Sequence, residues 1–156
     1  MGPLSHCAIC DLHHSPPHQA AFEVLRTPLW VLRHHPDPAP LLGWLLLDSR
    51  RHLPGPLAFT DQEAADWGLA LRQASRLVQQ LTGCERVYGI AFGEGAPHLH
   101  QHLIPRWSSD PASTAWRVAD LYRAVAAGER PPADPAGVAA LVQQARQRMQ
   151  QHGITH

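Results

Sequence analysis

The sequence predicts an α+β fold: a meander of short strands, interrupted by one long helix and followed by C-terminal helices. Three observations carry this prediction. Short apolar segments recur between proline- and glycine-rich breaks, at strand rather than helix length. The signature Thr60-Asp61-Gln62-Glu63 opens a long stretch of helical periodicity. Residues 98–102 alternate histidine with other residues, a period that suits an extended strand.

Taken in order, residues 1–19 hold Cys7-Ala8-Ile9-Cys10 and then His13, His14 and His18 around Ser15-Pro16-Pro17, and read as a knuckle and loop. Ala21–Arg26 and Leu29–Arg33 read as two short strands, with a tight connection at Thr27-Pro28. Pro36-Asp37-Pro38-Ala39-Pro40 is a rigid loop, and the near-continuous apolar run Leu41–Leu47 reads as a buried central strand. In the long helix, the Thr60 hydroxyl is placed to accept from the Glu63 amide. Trp67, Leu71, Ala74, Val78 and Leu81 then form one core-facing stripe, and Gly83 ends the helix. Glu85–Phe92 reads as a strand, Gly93-Glu94-Gly95 as a turn, and His98 onward as the next strand, ending near Pro105. Trp116, Val118, Leu121, Tyr122 and Val125 suggest a short helix. Asp134-Pro135 starts another, with Val138, Leu141, Val142, Ala145 and Met149 facing inward.

At 156 residues the chain is expected to be one domain, 1–156, with a core that needs no disulfide. Its three cysteines cannot all pair, which suits a reducing compartment. No apolar run is long enough for a transmembrane helix, and Met1–His6 lacks the blocks of a secretion signal, so a cytoplasmic location is expected. Thirteen basic residues balance thirteen acidic ones, which argues against a general nucleic-acid binder. Every basic residue is arginine, so lysine chemistry is excluded, while bidentate arginine clamps on phosphate remain open.

On a strand, His98, His100 and His102 share one face, with Leu99, Gln101 and Leu103 on the other. Such an imidazole row suits two kinds of chemistry. Neutral imidazole ligates metals, and near neutrality it is also a nucleophile. Separately, Cys7-x-x-Cys10 has the spacing of a zinc knuckle, although no nearby His-x₃₋₅-His completes a finger. A redox pair, inert thiols, or a ligand drawn from His6, His13 or His14 are the other readings of those cysteines. Cys84 reads as a small buried residue. His18, His34, His35, His152 and His156 carry no usable spacing and are expected to be solvated. Phe22, Trp30 and Leu45 read as core packing ahead of walls for a base pocket.

His98-Leu99-His100-Gln101-His102-Leu103-Ile104-Pro105-Arg106 resembles the signature of the histidine triad family of nucleotide hydrolases and transferases. Upstream, Gly43–His52 is similar to the family's Gly-His strand with its basic pair and histidine, and Phe59-Thr60-Asp61 opens a helix where the family has one. The resemblance runs from about Cys7 to Trp107 and is weak beyond residue 110. It implies a five-stranded antiparallel sheet, a homodimer, and cleavage at the α-phosphate of a dinucleoside polyphosphate or a nucleoside phosphoramidate. A nucleoside monophosphate, with a purine base, would be released.

Under the resemblance His100 is the nucleophile. It forms a covalent nucleotidyl-histidine that water cleaves, and no divalent metal is required at phosphorus. His102 donates to the phosphate oxygens, and His98 completes the catalytic set. Backbone amides at Gly93, Glu94 and Gly95 are candidates for substrate binding, with a plain turn as the alternative. Asp37 stands where the family places an acidic residue against the ribose hydroxyls. Bacterial members that bind zinc imply the ligand set Cys7, Cys10, His52 and His98, a closed and structural Cys₂His₂ site. The stretch 108–156 is expected to be a helical extension. Arg106 is similar to the dinucleoside-polyphosphate branch.

Two departures from the family pattern stand out. Trp44 occupies the place of the Gly-His histidine, and Glu94 sits in a lead-in that is usually polar and uncharged. They motivate a second reading, a nucleotide-binding module with little or no catalysis. A third reading is nucleotidyl transfer. Its usual glutamine is replaced here by His102, which favours hydrolysis.

Overall fold

The computed structural model describes residues 6–151. In chain order the elements are α1 (Ala8–His14), α2 (Pro16–Phe22), β1 (Glu23–Arg26), β2 (Trp30–His34), β3 (Leu45–Ser49), α3 (Asp61–Thr82), β4 (Arg86–Ile90), β5 (His100–Arg106), α4 (Val118–Ala126) and α5 (Pro135–Gln151). The strands form one antiparallel sheet in the order β1-β2-β3-β5-β4. This is the α+β arrangement that the sequence predicts.

Side-chain alternation sorts the sheet residues onto two faces. One face carries Leu32, Leu45, Leu47 and Leu103, which pack with Ala74, Leu77 and Val78 of α3 and with Val138, Leu141, Val142 and Ala145 of α5. The other carries Arg33, Leu46, Asp48, His100, His102 and Ile104, and is covered by α1 at one end and α4 at the other. The functional candidates stand on this second face.

Helix α3 begins as predicted. Thr60 Oγ1 accepts from the Glu63 amide at 3.2 Å, and Glu63 Oε2 accepts from the Thr60 amide at 2.8 Å. Gly83 ends the helix in the left-handed region (φ +66°) and donates its N–H to Gln79 O. The stripe is core: Ala74 and Val78 are buried, and Trp67, Leu71 and Leu81 pack against them. All five apolar positions predicted for α5 are buried. That helix therefore closes the main core.

Several expectations are corrected. The knuckle and loop at residues 1–19 is two short helices where it is described, because Cys7 Sγ caps α1 and the Ser15 hydroxyl caps α2. Met1–Ser5 lie outside the described residues. The first strand is shorter than Ala21–Arg26, since α2 runs to Phe22. The central strand begins at Leu45 rather than Leu41, because Gly43 (φ +86°) turns the chain over Thr82. A Cβ on Gly43 would lie 2.2 Å from Thr82 Cγ2, so the close approach itself requires glycine. Trp116 is almost fully exposed, ahead of the start of α4.

The histidines expected to be solvated are also corrected. His18 and His34 are buried and His35 is half-buried. His34 lies in the core because both ring nitrogens are satisfied: Nδ1 donates to His35 O at 2.8 Å, and Nε2 accepts from Gly43 N–H at 2.9 Å. His152 and His156 lie outside the described residues. Trp30 and Leu45 lie on the core face, Trp30 edge-on to Phe59 and tilted on Trp67. Cys84 is buried.

Candidate functional site

Strand β5 and the residues just before it bring His98, His100 and His102 onto one side of the sheet. His98 precedes the strand. It is buried, and its Nε2–H donates to Ser49 O at 2.7 Å. That bond leaves Nδ1 with its lone pair, facing the N-terminal helix. Cys7 Sγ and Cys10 Sγ each lie 3.4 Å from it, and Cys10 Sγ lies 3.5 Å from His52 Nδ1. The four ligand atoms all fall within 4.8 Å of one another.

These distances can be tested against a tetrahedral centre. With metal–sulfur bonds near 2.3 Å and metal–nitrogen bonds near 2.05 Å, a tetrahedral angle puts S and N about 3.6 Å apart. The observed S···N spacings match that value to within about 0.2 Å. Absent a cation, burial and the neighbouring Cys7 push the Cys10 thiol up to about 11. A divalent ion among the four would favour the thiolate instead. The donor set and its outer hydrogen bond thus suit a metal of zinc type.

Next along the same face lies a buried charge cluster that the sequence reading does not single out. Asp48, fully enclosed, accepts from Arg33 Nε at 2.6 Å and from Arg33 Nη2 at 3.4 Å, and His13 Nε2 sits 2.9 Å from its Oδ2. Although desolvation opposes ionisation, the Arg33 guanidinium and His13 hold the Asp48 carboxyl below its ordinary value. The His13 ring also stands edge-on to His98, with centroids 5.5 Å apart. Helix α1, bearing Cys10, is therefore tied to the centre of the sheet. No periodicity signals this pairing, since its members come from three separate elements.

Beyond it His100 and His102 face a cleft of about 510 Å³. His100 Nδ1–H donates to the carbonyl oxygen of His98 at 2.6 Å. In the neutral ring the proton is thereby placed on Nδ1, and Nε2 keeps its lone pair. His102 is oriented the other way round: its Nδ1 accepts from the indole Nε1–H of Trp44 at 2.9 Å. A neutral His102 then carries its hydrogen on Nε2. Burial, with His100 and His35 nearby, holds its pKa down at about 3, so the ring is neutral at physiological pH. The two rings are 5.3 Å apart.

The cleft walls are mostly apolar and aromatic: Trp44, Ile90, Phe92, Ile104 and Val118, closed by Tyr122 of α4. Glu94 and Gly95 stand at its edge with Arg123. Gly93 lies in the adjoining exposed turn, outside the lining. Asp37 sits on the exposed loop between β2 and β3 and is not among the lining residues either. Arg106 turns away, its guanidinium donating to Ser113 Oγ at 3.3 Å and, at 3.5 Å, to Asp110 O. The contribution of α4 could have been suspected from Tyr122 and Arg123, one apolar-aromatic and one cationic residue side by side, but nothing local says which strand they face.

No family model matches the sequence. No curated protein matches it either. Solved structures do. A hypothetical histidine triad nucleotide-binding protein from Sulfolobus tokodaii superposes with TM-score 0.67 at 15% identity, over 93% of each chain. A Zn-bound histidine triad family protein from Mycobacterium smegmatis does so with TM-score 0.65 at 14% identity, over 94% of this chain and 96% of that one. The NitFhit protein of C. elegans matches with TM-score 0.59 at 17% identity, over 81% of this chain but only 27% of its own length, so this chain spans about a quarter of NitFhit. At these identities the likeness is one of fold, and the fold is that of histidine triad proteins.

Proposed function

We propose that this chain, with its histidine triad fold, is a nucleotide hydrolase that works through a covalent nucleotidyl-histidine on His100. The observation that carries the reading is the hydrogen bond from His100 Nδ1 to the His98 carbonyl oxygen. It fixes the tautomer that leaves Nε2 nucleophilic, on a ring that lines the cleft.

The chemistry balances in two steps. The Nε2 lone pair attacks the α-phosphorus of a dinucleoside polyphosphate or nucleoside phosphoramidate. The bond from phosphorus to the leaving group breaks, its electron pair departs with that group, and the group takes a proton. Water then attacks the same phosphorus and gives up to solvent a proton that balances the one taken by the leaving group, the P–N bond breaks, and Nε2 recovers its lone pair. The net reaction consumes one water and releases a nucleoside monophosphate. In this reading His102 Nε2–H would donate to the phosphoryl oxygens as charge develops, and backbone amides of the Gly93-Glu94-Gly95 turn would add donors. We assign Asp37, carried on the loop between β2 and β3 outside the cleft lining, to the ribose hydroxyls.

The Cys7, Cys10, His52 and His98 set is proposed to hold a structural zinc. The ion would cross-link α1 to the start of the catalytic strand, and all four coordination positions would be taken by protein. A homodimer working in the cytoplasm completes the proposal; among the described residues no helix is long and apolar enough to cross a membrane.

The test is turnover of diadenosine polyphosphates and of adenosine 5′-phosphoramidate by wild type and His100→Ala. The reading expects AMP release that the substitution lowers by about three orders of magnitude or more, the scale on which loss of a nucleophile acts. Equal rates would remove His100 from the reaction. Saturable AMP binding with no product from any of these substrates would favour the binding-module reading that Glu94 and Trp44 motivate.

A further inference from the structure

We propose that Trp44 is a positioning residue for this reaction: its indole N–H locks His102 into the Nε2–H tautomer and so aims a preformed donor into the cleft. The proposal rests on the hydrolase reading for its kinetic part, whereas the tautomer itself is a property of the free protein.

Trp44 is buried, and a buried indole N–H needs an acceptor. Its partner is His102 Nδ1, at 2.9 Å. An indole nitrogen can only donate, so the bond forces Nδ1 of His102 to accept. A neutral imidazole has one hydrogen, which must then sit on Nε2. The opposite tautomer would point a lone pair at the phosphoryl oxygens and leave the indole hydrogen facing another N–H.

The neighbours hold this geometry in place. The Trp44 ring is tilted on Tyr122 at 5.9 Å and edge-on to His35 at 6.0 Å, and the His102 ring is edge-on to Tyr122 at 6.3 Å. Trp44 cannot swing away without opening the second apolar cluster, which it shares with Leu46, Ile104 and Val118. A donor fixed before substrate arrives costs no reorganisation when charge develops. His100 and His102 thus receive opposite tautomers from two different partners: a carbonyl oxygen that demands a donor, and an indole that demands an acceptor.

The experiment reads the tautomer directly. Long-range ¹H–¹⁵N correlation spectra of uniformly labelled wild-type protein should show His102 protonated at Nε2 and unprotonated at Nδ1. In Trp44→Phe, which keeps an aromatic ring but removes the N–H, His102 should show a mixture of tautomers. With adenosine 5′-phosphoramidate, kcat should then fall about three- to tenfold while KM stays within about twofold, because the lost term acts in the transition state. An Nδ1-protonated His102 in wild type overturns the proposal, and that measurement needs no variant to fold. An unchanged tautomer in Trp44→Phe, or an unchanged kcat, overturns it as well. If wild type shows the Nε2–H tautomer but turns over no nucleotide, the hydrolase reading fails, and with it the positioning role given to Trp44 in the reaction.

Discussion

The carbonyl oxygen of His98 accepts from His100 Nδ1 at 2.6 Å, while the ring of the same His98 faces Cys7 and Cys10. One residue therefore belongs to both constellations: its side chain to the metal-ligand set, its backbone to the proposed nucleophile. Any disturbance of the cysteines should reach His100 through a single peptide unit.

That link predicts a metal-binding effect and a stability effect from the same substitution. Cys10→Ser should abolish stoichiometric zinc binding, as measured by atomic emission on the purified protein. It should also lower the melting temperature by several degrees, since each kcal/mol shifts a domain of this size by about 2–4 °C. Strong chelation of wild type should reproduce the shift, and added zinc should reverse it. A melting temperature indifferent to both would argue that the four side chains meet without an ion.

The enclosed Asp48 predicts an asymmetric response. Asp48→Asn leaves Arg33 buried without its counter-charge and should cost about 3–5 kcal/mol. Arg33→Met together with Asp48→Asn should cost less than Asp48→Asn alone, because the uncompensated charge is then gone. Urea unfolding of the three proteins checks this ordering.

At Gly43 two penalties coincide, a left-handed φ and a Cβ that would collide with Thr82. Gly43→Ala should therefore destabilise by more than about 1 kcal/mol. Adding Thr82→Ala should recover the steric part and leave the conformational part, so the double variant should lie between wild type and Gly43→Ala in urea midpoint.

Acid sensitivity should begin with histidines rather than carboxylates. Burial lowers the pKa of His18 and of His35 to about 4, and that of His102 to about 3. A histidine whose folded pKa lies below its unfolded value of about 6.5 binds more protons when unfolded, so its contribution is fully present above that value and is lost as pH falls toward the folded pKa. The carboxyl of Glu63, held at about 2 by Arg51, contributes above its ordinary value of 4.5 and loses its share only below that. Because the Arg51 side chain is half exposed, that share is small. Urea midpoints should thus decline between pH 6.5 and 4, before carboxylates begin to protonate in number. A flat profile down to pH 4.5 would contradict the burial of these rings.

Much of the fold was legible because its signals are periodic and local. Alternation placed β5, although the strand begins at His100 rather than at His98, the Thr60–Glu63 box started α3, and the stripe from Val138 to Met149 gave the inward face of α5. The four residues of the Cys/His cluster were legible only through the resemblance, since Cys7 and His98 lie ninety-one positions apart. What escaped the sequence depended on tertiary neighbours. His34 looks like a surface residue until Gly43 N–H supplies its acceptor's partner. Arg33, Asp48 and His13 sit on three elements and form one cluster only once the sheet and α1 have packed. Trp44 could be recognised as a departure from a motif, yet its hydrogen bond to His102 required the register of β3 against β5.

The most direct test of the central claim is to trap the covalent species. Wild-type protein mixed with adenosine 5′-phosphoramidate would be quenched within milliseconds in alkaline denaturant and analysed by mass spectrometry of the peptide spanning residues 98–106. The account predicts an adenylyl mass increment located on His100 and absent from His100→Ala. AMP released at the wild-type rate by His100→Ala, with no modified peptide at any quench time, would contradict it.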